Sequence, residues 1–447
     1  PADRRARSDG TSMLPRARGP APANSRREAA PGGPARGTNR ALLPGAPLTQ
    51  PASSAQRAPR RAPRTHPGAC FPDAAQRRRR RLGPPARAPA PAPRPNRKRP
   101  APDPSPPAGD ARDKIPGPRP RPAPPASPPR PMTFLCGTGY CVPAEVITNA
   151  DLIRRVPTNE DWILSHTGIR ERRAAPKGMD TSDLGAAATR HALERAGWDP
   201  RRLQLLVCAT STPDRLIPAT ANYIGQKLAI DPIAFDVNAA CSGFVYGLAV
   251  ARGLVETLGL ERAALCTAEK YTRVTDYDDR ATCIFFGDSA ATVLLCKERP
   301  RQGFEIVDLL MENINEGADY VTTPVGGTFR QDGRRVKEYA LRSFEKSARD
   351  LLGRNGLAVS DLRAFCGHQA NLRVLEEVGA RLGVQPDRHW HNVETCGNQG
   401  AAGVITAFTT ALDAHRDSVH HGDLFLLTVF GSGFTTGSVL LRRIDAR

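Results

Sequence analysis

Aromatic residues and long apolar runs are scarce in this sequence. Phe, Trp and Tyr make up 5% of its 447 residues, and no apolar stretch approaches the roughly 20 residues that a membrane-spanning helix needs. The ten cysteines include no CxxC pair, a spacing on which many structural zinc sites depend. These absences count against a membrane-spanning protein and against a zinc-binding module.

Cysteine pairing of any kind is not expected either. Most cysteines lie within or beside short apolar, strand-like runs, where a cysteine usually acts as a small core residue. No signal peptide precedes Met132. We therefore expect a reducing, cytoplasmic setting without structural disulfides. The cysteines in or beside such runs are Cys136, Cys208, Cys266, Cys283, Cys296 and Cys366.

The two parts of the chain differ sharply in composition. Most of the 43 prolines precede Met132, and this segment carries 28 Lys and Arg against 7 Asp and Glu, which leaves 36 and 38 for the rest. A segment rich in Pro, Arg and Ala cannot bury enough apolar surface to offset its ordering entropy. We therefore predict that residues 1–131 form a disordered tail, which accounts for the formal net charge of +19.

Two interpretations of this tail remain open. Its basic runs, Arg77–Arg81 and Arg97–Arg99, could hold nucleic acid or an anionic surface by charge alone. Phe71 is its only aromatic residue, however, so the tail gives little support to nucleic acid as a partner. The other interpretation is that residues 1–131 are upstream sequence read through from a GC-rich gene, since Met132 opens the first convincing strand.

From residue 132 onward, strand-like and helix-like segments alternate, which is typical of a mostly parallel sheet covered by helices. The same order occurs twice: helix, strand, helix, strand and helix, followed by two closing strands. The first set covers 181–198, 203–209, 218–230, 233–237, 241–258, 263–268 and 291–296. The second covers 342–355, 362–366, 372–382, 389–393, 398–414, 424–429 and 438–443. We predict an α/β fold of two duplicated βαβαβαββ halves, 132–305 and 306–447.

Three polar positions lie at strand-to-helix junctions of this duplicated pattern. They are Cys241, His368 and Asn398. A cysteine at a helix start faces free N–H groups and the positive end of the helix dipole, which favour the thiolate. Ligands of α/β sheets gather at the carboxyl ends of the strands. The duplication therefore predicts that the three residues share one nucleophilic site.

Several motifs, in order and with matching spacing, make residues 132–447 resemble a β-ketoacyl-acyl carrier protein synthase III. The resemblance implies a thiolase-like fold with five layers, α-β-α-β-α. It rests on the segments Gly137–Tyr140, Asp161–Ile163, Thr167–Arg170, Asp236–Phe244, Phe286–Asp288, His368–Arg373, Gly397–Asn398 and Phe430–Phe434.

The resemblance implies a two-step reaction. Cys241 would take an acyl group from a thioester donor, with its thiol pKa lowered by the helix start and a neighbouring imidazole. The acyl group would then condense with malonyl-acyl carrier protein as CO₂ leaves, with His368 and Asn398 donating hydrogen bonds to the enolate. The backbone N–H groups of Cys241 and Ser432 would form the oxyanion hole. Coenzyme A would be a substrate, and no cofactor is implied.

The resemblance also implies binding residues around the site. Trp162 and Arg280 would sandwich the adenine of coenzyme A, with Thr158 near the nucleotide and Asn371 on the pantetheine arm. Partners would be an acyl-CoA or acyl-carrier protein, malonyl-acyl carrier protein and a second copy in a homodimer. Leu216 and Ile217 would gate the partner subunit's acyl pocket, and Arg373 and Arg381 would dock the acidic carrier protein.

Departures from the family pattern leave the donor and the acceptor open. His166 replaces an arginine that usually meets the coenzyme phosphate, and Ala340 and Leu341 replace a tunnel glycine and its polar neighbour. The segment usually written Gly-Asn-Thr-Ser reads Gly397–Gly400 with Gln399 third. An acyltransferase of the same fold that makes an ester or amide from the acyl-cysteine is therefore the chief alternative.

Two further functions receive weaker support. A degradative thiolase normally carries a second catalytic cysteine in a Cys-X-Gly turn, which Phe430–Gly433 lacks, although Cys396 lies close to Asn398. Two histidine pairs, at 389 and 391 and at 420 and 421, could suggest a metal, but no cysteine or carboxylate spacing completes a site. We therefore predict no metal site.

Overall fold

The computed structural model describes residues 132–446, and the predictions for the tail lie outside them. The strands are β1 (Phe134–Cys141), β2 (Glu145–Thr148), β3 (Glu171–Ala174), β4 (Leu205–Ala209), β5 (Ile233–Val237), β6 (Arg262–Lys270), β7 (Asp288–Cys296), β8 (Gly303–Asn313), β9 (Val321–Thr322), β10 (Arg330–Gln331), β11 (Leu362–Gly367), β12 (Leu424–Gly431) and β13 (Thr435–Ile444). The α-helices are α1 (Asn149–Ile153), α2 (Glu160–Thr167), α3 (Thr181–Ala196), α4 (Thr220–Leu228), α5 (Gly243–Leu258), α6 (Gly333–Arg354), α7 (Leu372–Leu382), α8 (Val393–Cys396) and α9 (Gly403–Ala414). Single 3₁₀ turns, Ala240–Ser242 and Gly400–Ala402, lead into α5 and α9.

The main sheet repeats one strand order. Its order is β11-β12-β13-β8-β1-β7-β6-β4-β5, so β1-β7-β6-β4-β5 in the first half corresponds to β8-β13-β12-β11 in the second. The halves join where β1 pairs with β8 through Phe134 with Glu305 and Leu135 with Phe304. In both halves, strands next to the site run parallel: β4 with β5 and β6, and β11 with β12. The predicted duplication is therefore present.

The predicted strand over 389–393 is wrong. At the place in the second half that corresponds to β5, the chain forms only one parallel bridge within the described residues, between Phe365 and His389. The chain then turns away, because the N–H groups of Asn392 and Val393 donate to the side-chain oxygen of Gln369 instead of to a neighbouring strand. Helix α8 begins at Val393.

Helices α5 and α9 form the central layer. Their buried side chains, such as Phe244 and Leu248 on α5 and Phe408 on α9, share one core with residues of both half-sheets. Gly247 allows α5 to pack closely against β6, because a Cβ at this position would lie 2.6 Å from a methyl carbon of Leu265. Burial of apolar surface on both sides stabilises this arrangement by about 25 cal/mol for each Å².

The outer helices complete five layers. Helices α3 and α4 pack on the outer face of the first half-sheet through a core that includes Leu184 and Ile224. Helices α6 and α7 cover the second half-sheet through a core that includes Phe344 and Val378. The order α-β-α-β-α confirms the predicted arrangement. Helix α6 begins earlier than predicted, because Asp332 caps it by accepting the N–H of Arg335.

The expectation that the chain lacks structural disulfides is wrong. Cys136 and Cys296 are joined in a disulfide between β1 and β7. The two strands are antiparallel neighbours, and Cys136 lies at an irregularity in their register between Leu135 and Gly137. The pattern of apolar residues predicted the strands but could not reveal that the two cysteines face each other across them.

Bilayer-spanning helices are absent from the described part of the chain. None of the helices within residues 132–446 is both long enough and apolar enough for that purpose.

Candidate active site

The starts of α5 and α9 approach each other closely. A Cβ added to Gly243, the first residue of α5, would lie 3.0 Å from the Cβ of Ala401 in the turn before α9. Cys241 lies in the equivalent turn before α5, and Asn398 lies two residues before the turn of α9. The duplication therefore brings two helix N-termini, each with free N–H groups, to one place.

The two junctions match residue by residue. Ala240 has a φ of 46° and Gly400 a φ of 55°. In each junction an asparagine oxygen accepts the N–H two residues ahead at 3.0 Å: Asn238 from Ala240, and Asn398 from Gly400. The counterpart of Asn398 is therefore Asn238, and that of Cys241 is Ala401. Because the Asn398 Oδ1 is already committed, its Nδ2–H groups are the ones available to a ligand.

Cys241 lines a cavity of about 170 Å³. Its wall combines the turn before α5 with the ends of β4 and β6 and with the turn after β12. The lining residues are Ser211, Thr212, Asn238, Ala240, Cys241, Tyr271, Val274, Val321, Thr322, Thr323, Phe329 and Ser432. His368 and Asn398 are not part of this lining, so the cavity joins Cys241 with Ser432 rather than all three predicted catalytic residues.

The turn that follows β12 lies directly against the Cys241 turn. A Cβ at Gly431 would be 2.8 Å from the backbone nitrogen of Ser242, so only glycine permits this approach. The Ser432 hydroxyl donates to the Val321 carbonyl at 2.5 Å, which fixes the turn. The predicted partners of the oxyanion hole, Cys241 and Ser432, therefore share one cavity wall.

His368 lies at the carboxyl end of β11. Its N–H donates to the Thr428 carbonyl of β12 at 2.9 Å, three residues before Gly431 meets the Cys241 turn. Burial lowers the pKa of His368 to about 4, so the imidazole is neutral near pH 7. Among the described residues its Nδ1 finds no hydrogen-bond partner.

The expected lowering of the Cys241 pKa is wrong. Burial, with the nearby Glu269 carboxylate as a second cause, raises the pKa of the Cys241 thiol to about 12. Interactions with the Tyr271 hydroxyl and with the backbone of Cys241 itself oppose this rise. The helix start is present as predicted, but desolvation outweighs it. No charged imidazole helps, because His368 is neutral.

Sequence reasoning missed a buried polar network beside Cys241. The Glu269 carboxylate accepts hydrogen bonds from the Ser211 hydroxyl at 3.0 Å and the Thr212 hydroxyl at 2.6 Å. The start of α9 lies against it, because a Cβ at Gly400 would be 3.1 Å from Cγ of Glu269. The Ser211 hydroxyl lies 2.8 Å from that of Tyr271, which lines the same cavity as Cys241. The available signal was a charged residue directly after the apolar run 263–268 of β6.

Trp162 and Arg280, the predicted adenine-binding residues, are in contact with each other. The Arg280 guanidinium lies 4.2 Å from the centre of the Trp162 ring. The His166 ring stacks on Trp162 with ring centres 4.4 Å apart. The three side chains therefore form one stack, and a base could enter between Trp162 and Arg280 only if the guanidinium moved away.

Other predicted binding residues have structural contacts of their own. Asn371 caps α7 by accepting the N–H groups of Arg373 and Val374, and its Nδ2 donates to the His166 carbonyl at 2.9 Å. The Thr158 hydroxyl is buried without a partner among the described residues. Ala340, with Leu341 beside it, is buried in the core under α6.

The predicted gate and docking residues lie on the surface. Leu216 and Ile217 are 76% and 83% exposed, which is unusual for large apolar side chains. Arg373 pairs with Glu376 at 2.8 Å, and Arg381 pairs with Glu377 at 2.6 Å. Both arginines therefore sit in mixed-charge surroundings rather than in a purely basic patch.

No cluster of three His, Cys, Asp or Glu side chains within residues 132–446 has an arrangement that would hold a metal ion. His389 and His391 lie edge to face, with ring centres 5.4 Å apart. His391 bonds to Glu394. The two histidines therefore make packing and hydrogen-bonding contacts within the fold.

A duplicated five-layer α/β fold with a cysteine and an asparagine at paired helix starts defines the class of thiolase-fold condensing enzymes. Comparison of the sequence with known protein families supports this class. Residues 235–313 match the family described as 3-oxoacyl-[acyl-carrier-protein (ACP)] synthase III, and residues 352–443 match its C-terminal part. The chain belongs to this family of acyltransferases, the β-ketoacyl-[acyl-carrier-protein] synthases III.

Individual relatives cover the same region. The β-ketoacyl-[acyl-carrier-protein] synthase III of Oleidesulfovibrio alaskensis is 37% identical over 328 residues, 69% of this chain and 98% of the relative. The crystal structure of the synthase III from Aquifex aeolicus has a TM-score of 0.66 at 33% identity, covering 69% of this chain and 99% of that one. The priming β-ketosynthase of the R1128 polyketide pathway has a TM-score of 0.65 at 30% identity, covering 72% and 98%.

Proposed function

We propose that Cys241 is the nucleophile of a decarboxylative condensation that starts fatty-acid or polyketide assembly. The main observation in support is that the two helix starts lie close together, which brings Cys241 near the junction that contains Asn398. Cys241 also lines the same cavity as Ser432. An acyl group moves from a thioester, coenzyme A or a carrier protein, to the Cys241 sulfur. The donor's thiol leaves.

The oxyanion of this first step needs its own donors. The backbone N–H groups of Cys241 and Ser432 are suited to it, because the turn after β12 is held against the Cys241 turn by the close approach of Gly431. Fixed backbone donors need no reorganisation as the charge develops. The serine side chain does not interfere, since its hydroxyl is committed to the Val321 carbonyl.

The second step adds a two-carbon unit from malonyl-acyl carrier protein. Loss of CO₂ leaves an enolate, which attacks the acyl-Cys241 thioester and releases a β-ketoacyl product. His368 and Asn398 stabilise the enolate as neutral donors. The low pKa of His368 keeps it neutral, and the commitment of the Asn398 oxygen to Gly400 presents the amide N–H groups.

Binding and assembly follow the same proposal. Trp162, Arg280, His166 and Thr158 hold the nucleotide end of coenzyme A, and Asn371 and Ala340 line the path of its pantetheine arm. Arg373 and Arg381 meet the carrier protein. Two copies form a homodimer, in which the exposed Leu216 and Ile217 reach the partner's acyl pocket, and each copy consists of the halves 132–305 and 306–447.

Separate assays of the two steps test this division of roles. His368→Ala and Asn398→Ala should still form the acyl-enzyme but lose condensation by about 10²–10³-fold, a typical cost of removing an oxyanion donor. Acylation is followed by intact mass, and condensation by malonyl-dependent CO₂ release. Asn238→Ala is the matched contrast: Asn238 makes the same turn beside Cys241 and lines its cavity, so its loss should impair acylation as well as condensation. Equal loss of both steps in His368→Ala and Asn398→Ala would overturn the assignment.

A second candidate function is acyl transfer to an alcohol or amine. Gln399 favours it, because it departs from the family pattern immediately after Asn398. Retained ester or amide formation without malonyl-dependent CO₂ release would decide for this alternative.

A further inference from the structure

The proposed nucleophile has a thiol proton to lose, and the residues of the proposed reaction do not account for it. His368 lies outside the lining of the Cys241 cavity, and its lowered pKa of about 4 makes it a weak proton acceptor. Tyr271, which belongs to the network with Ser211 and Glu269, lines the same cavity as Cys241. The only carboxylate of this network, Glu269, is completely buried, which calls for an explanation because a lone buried charge is costly.

The hydrogen bonds of this network run in one direction. Ser211 donates its hydroxyl proton to Glu269 Oε1 at 3.0 Å. Its oxygen can then accept the Tyr271 hydroxyl, 2.8 Å away. The Tyr271 oxygen is left to accept the Cys241 S–H, and both residues line the same cavity. Cys241 is thereby connected to a carboxylate through two hydroxyl groups.

We propose that Tyr271, Ser211 and Glu269 form a relay that takes the proton of Cys241 during acylation and returns it during condensation. The proposal rests on Cys241 being the nucleophile. Tyr271 shares the cavity of the reacting sulfur and acts as a further catalytic residue, whereas Ser211 and Glu269 act through it.

The step is balanced in protons and electrons. The S–H proton passes to the Tyr271 oxygen as the Tyr271 proton passes to Ser211 and the Ser211 proton to Glu269. The product is a Cys241 thiolate that accepts a hydrogen bond from Tyr271, beside a neutral Glu269. The thiolate attacks the acyl carbon, and the donor thiolate leaves and is protonated by water. In condensation the C–S bond of the thioester breaks, Cys241 leaves as thiolate, and the proton returns from Glu269.

The groups around Glu269 suit an acceptor. The titratable side chains nearest to it in the cavity region are Cys241 and Tyr271, while Cys208 on β4 lies in the core on the opposite face of the sheet. The start of α9 contributes no charged side chain. Burial raises the pKa of Glu269 to about 7, so near neutral pH the carboxylate can both take up and release a proton.

A purely structural role for Glu269 is the competing explanation. Its carboxylate joins the ends of β4 and β6 to the start of α9, and its loss would loosen all three. A test must therefore use a readout that loosening would not change, and the pH dependence of Cys241 reactivity is such a readout.

The experiment measures the single-turnover acylation rate of Cys241 from pH 5.5 to 9.5 by intact mass, with acetyl-CoA and butyryl-CoA as probes. Iodoacetamide alkylation of Cys241 gives a second readout that needs no acyl-CoA site. In the unsubstituted chain both rates should rise through pH 7 and then level off. Tyr271→Phe and Glu269→Gln should each lose this rise and react at least tenfold more slowly at pH 7.5.

Controls separate the possible failures. Tyr246→Phe removes a half-buried phenol that donates to the Glu312 carbonyl away from the cavity, and it should keep the full profile. Circular dichroism and thermal unfolding verify that each variant is folded, and Tyr271→Phe keeps the ring that stacks on Phe286. If a folded Tyr271→Phe or Glu269→Gln retains the rise through pH 7, the relay is refuted while Cys241 stands. If Cys241→Ala still becomes acylated, the proposed function itself fails.

Discussion

Ala401 occupies in the second half of the molecule the position that Cys241 occupies in the first. Both lie in a 3₁₀ turn that opens a central helix, and both are preceded by a residue with positive φ. The duplicated backbone thus offers two equivalent helix starts, and the side chains distinguish them. One carries the thiol, while the other lies next to Gly400, which packs against Glu269.

At Gly400 there is no room for a side chain. Its φ is 55°, and a Cβ would lie 2.3 Å from the Tyr271 ring and 3.1 Å from Cγ of Glu269. Gly400→Ala should therefore lower the free energy of unfolding by at least about 2 kcal/mol. Urea denaturation measures the change. Gly353→Ala on α6, where a Cβ meets nothing within 4 Å, should be neutral or stabilising, and a similar loss in both would contradict the argument.

Glu269 should make stability depend on pH. Its pKa is about 7 in the folded protein against an ordinary value of 4.5, so the folded state binds more protons between these two pH values. The free energy of unfolding must then fall as pH rises through this window. Glu269→Gln should remove a difference of roughly 3 kcal/mol between pH 4.5 and 7.5.

Urea denaturation at several pH values checks this slope against the unsubstituted chain. His368 acts in the opposite direction: its lowered pKa costs stability as pH falls from 6.5 towards 4, and it is present in both proteins. Glu298→Gln on the surface is the control. Equal slopes with and without the Glu269 carboxylate would contradict its raised pKa.

At the scale of elements, periodicity predicted most strands and helices but not the contacts between them. Helix α7 and strand β5 have the predicted bounds, because their apolar periods are complete and their ends carry clear signals such as the Asn371 cap. The strand at 389–393 failed because Gln369, distant in sequence, takes its N–H groups. Pairwise tertiary contacts of this kind leave no local pattern.

Asn371 allows a structural role and a binding role to be separated. Asn371→Ala loses the cap of α7 and should cost about 1 kcal/mol of stability. Asn371→Asp keeps an oxygen for the cap but removes the Nδ2 donor. Asn371→Asp also loses the bond to the His166 carbonyl, so its stability should fall by no more than that of Asn371→Ala. If Asn371 binds the pantetheine arm, both variants should raise the KM for acyl-CoA. Thermal unfolding and steady-state kinetics measure the two effects, and an unchanged KM would leave Asn371 with the cap alone.

At the scale of the whole molecule, the duplicated fold explains how distant residues meet. Cys241 and Asn398 are 157 positions apart in sequence, yet the central helices bring their junctions together. The sequence pattern was sufficient to predict this convergence, because the repeat fixes which strand ends correspond. It was not sufficient to predict the pKa of Cys241, which depends on burial and on Glu269 more than on the helix start.

Leu216 and Ile217 provide a prediction about assembly. Two large apolar side chains at such exposure favour contact with another surface. In a homodimer, Ile217→Glu should weaken association or, if the dimer persists, change the preferred acyl length. Light scattering coupled to size-exclusion chromatography measures the first effect, and competition between acyl-CoAs measures the second. Ile233→Glu, also an exposed apolar residue, serves as the comparison, and no change in either measurement for Ile217→Glu would contradict the gate.

Cys241 carries the acyl group in the proposed reaction. The most direct test is intact-mass analysis, with peptide mapping, after incubation with a panel of acyl-CoAs and acyl-carrier proteins. We expect one added acyl mass on the peptide that contains Cys241, removable by hydroxylamine and absent from Cys241→Ala. An acyl adduct that persists in Cys241→Ala, or that maps to Cys396 instead, would contradict it.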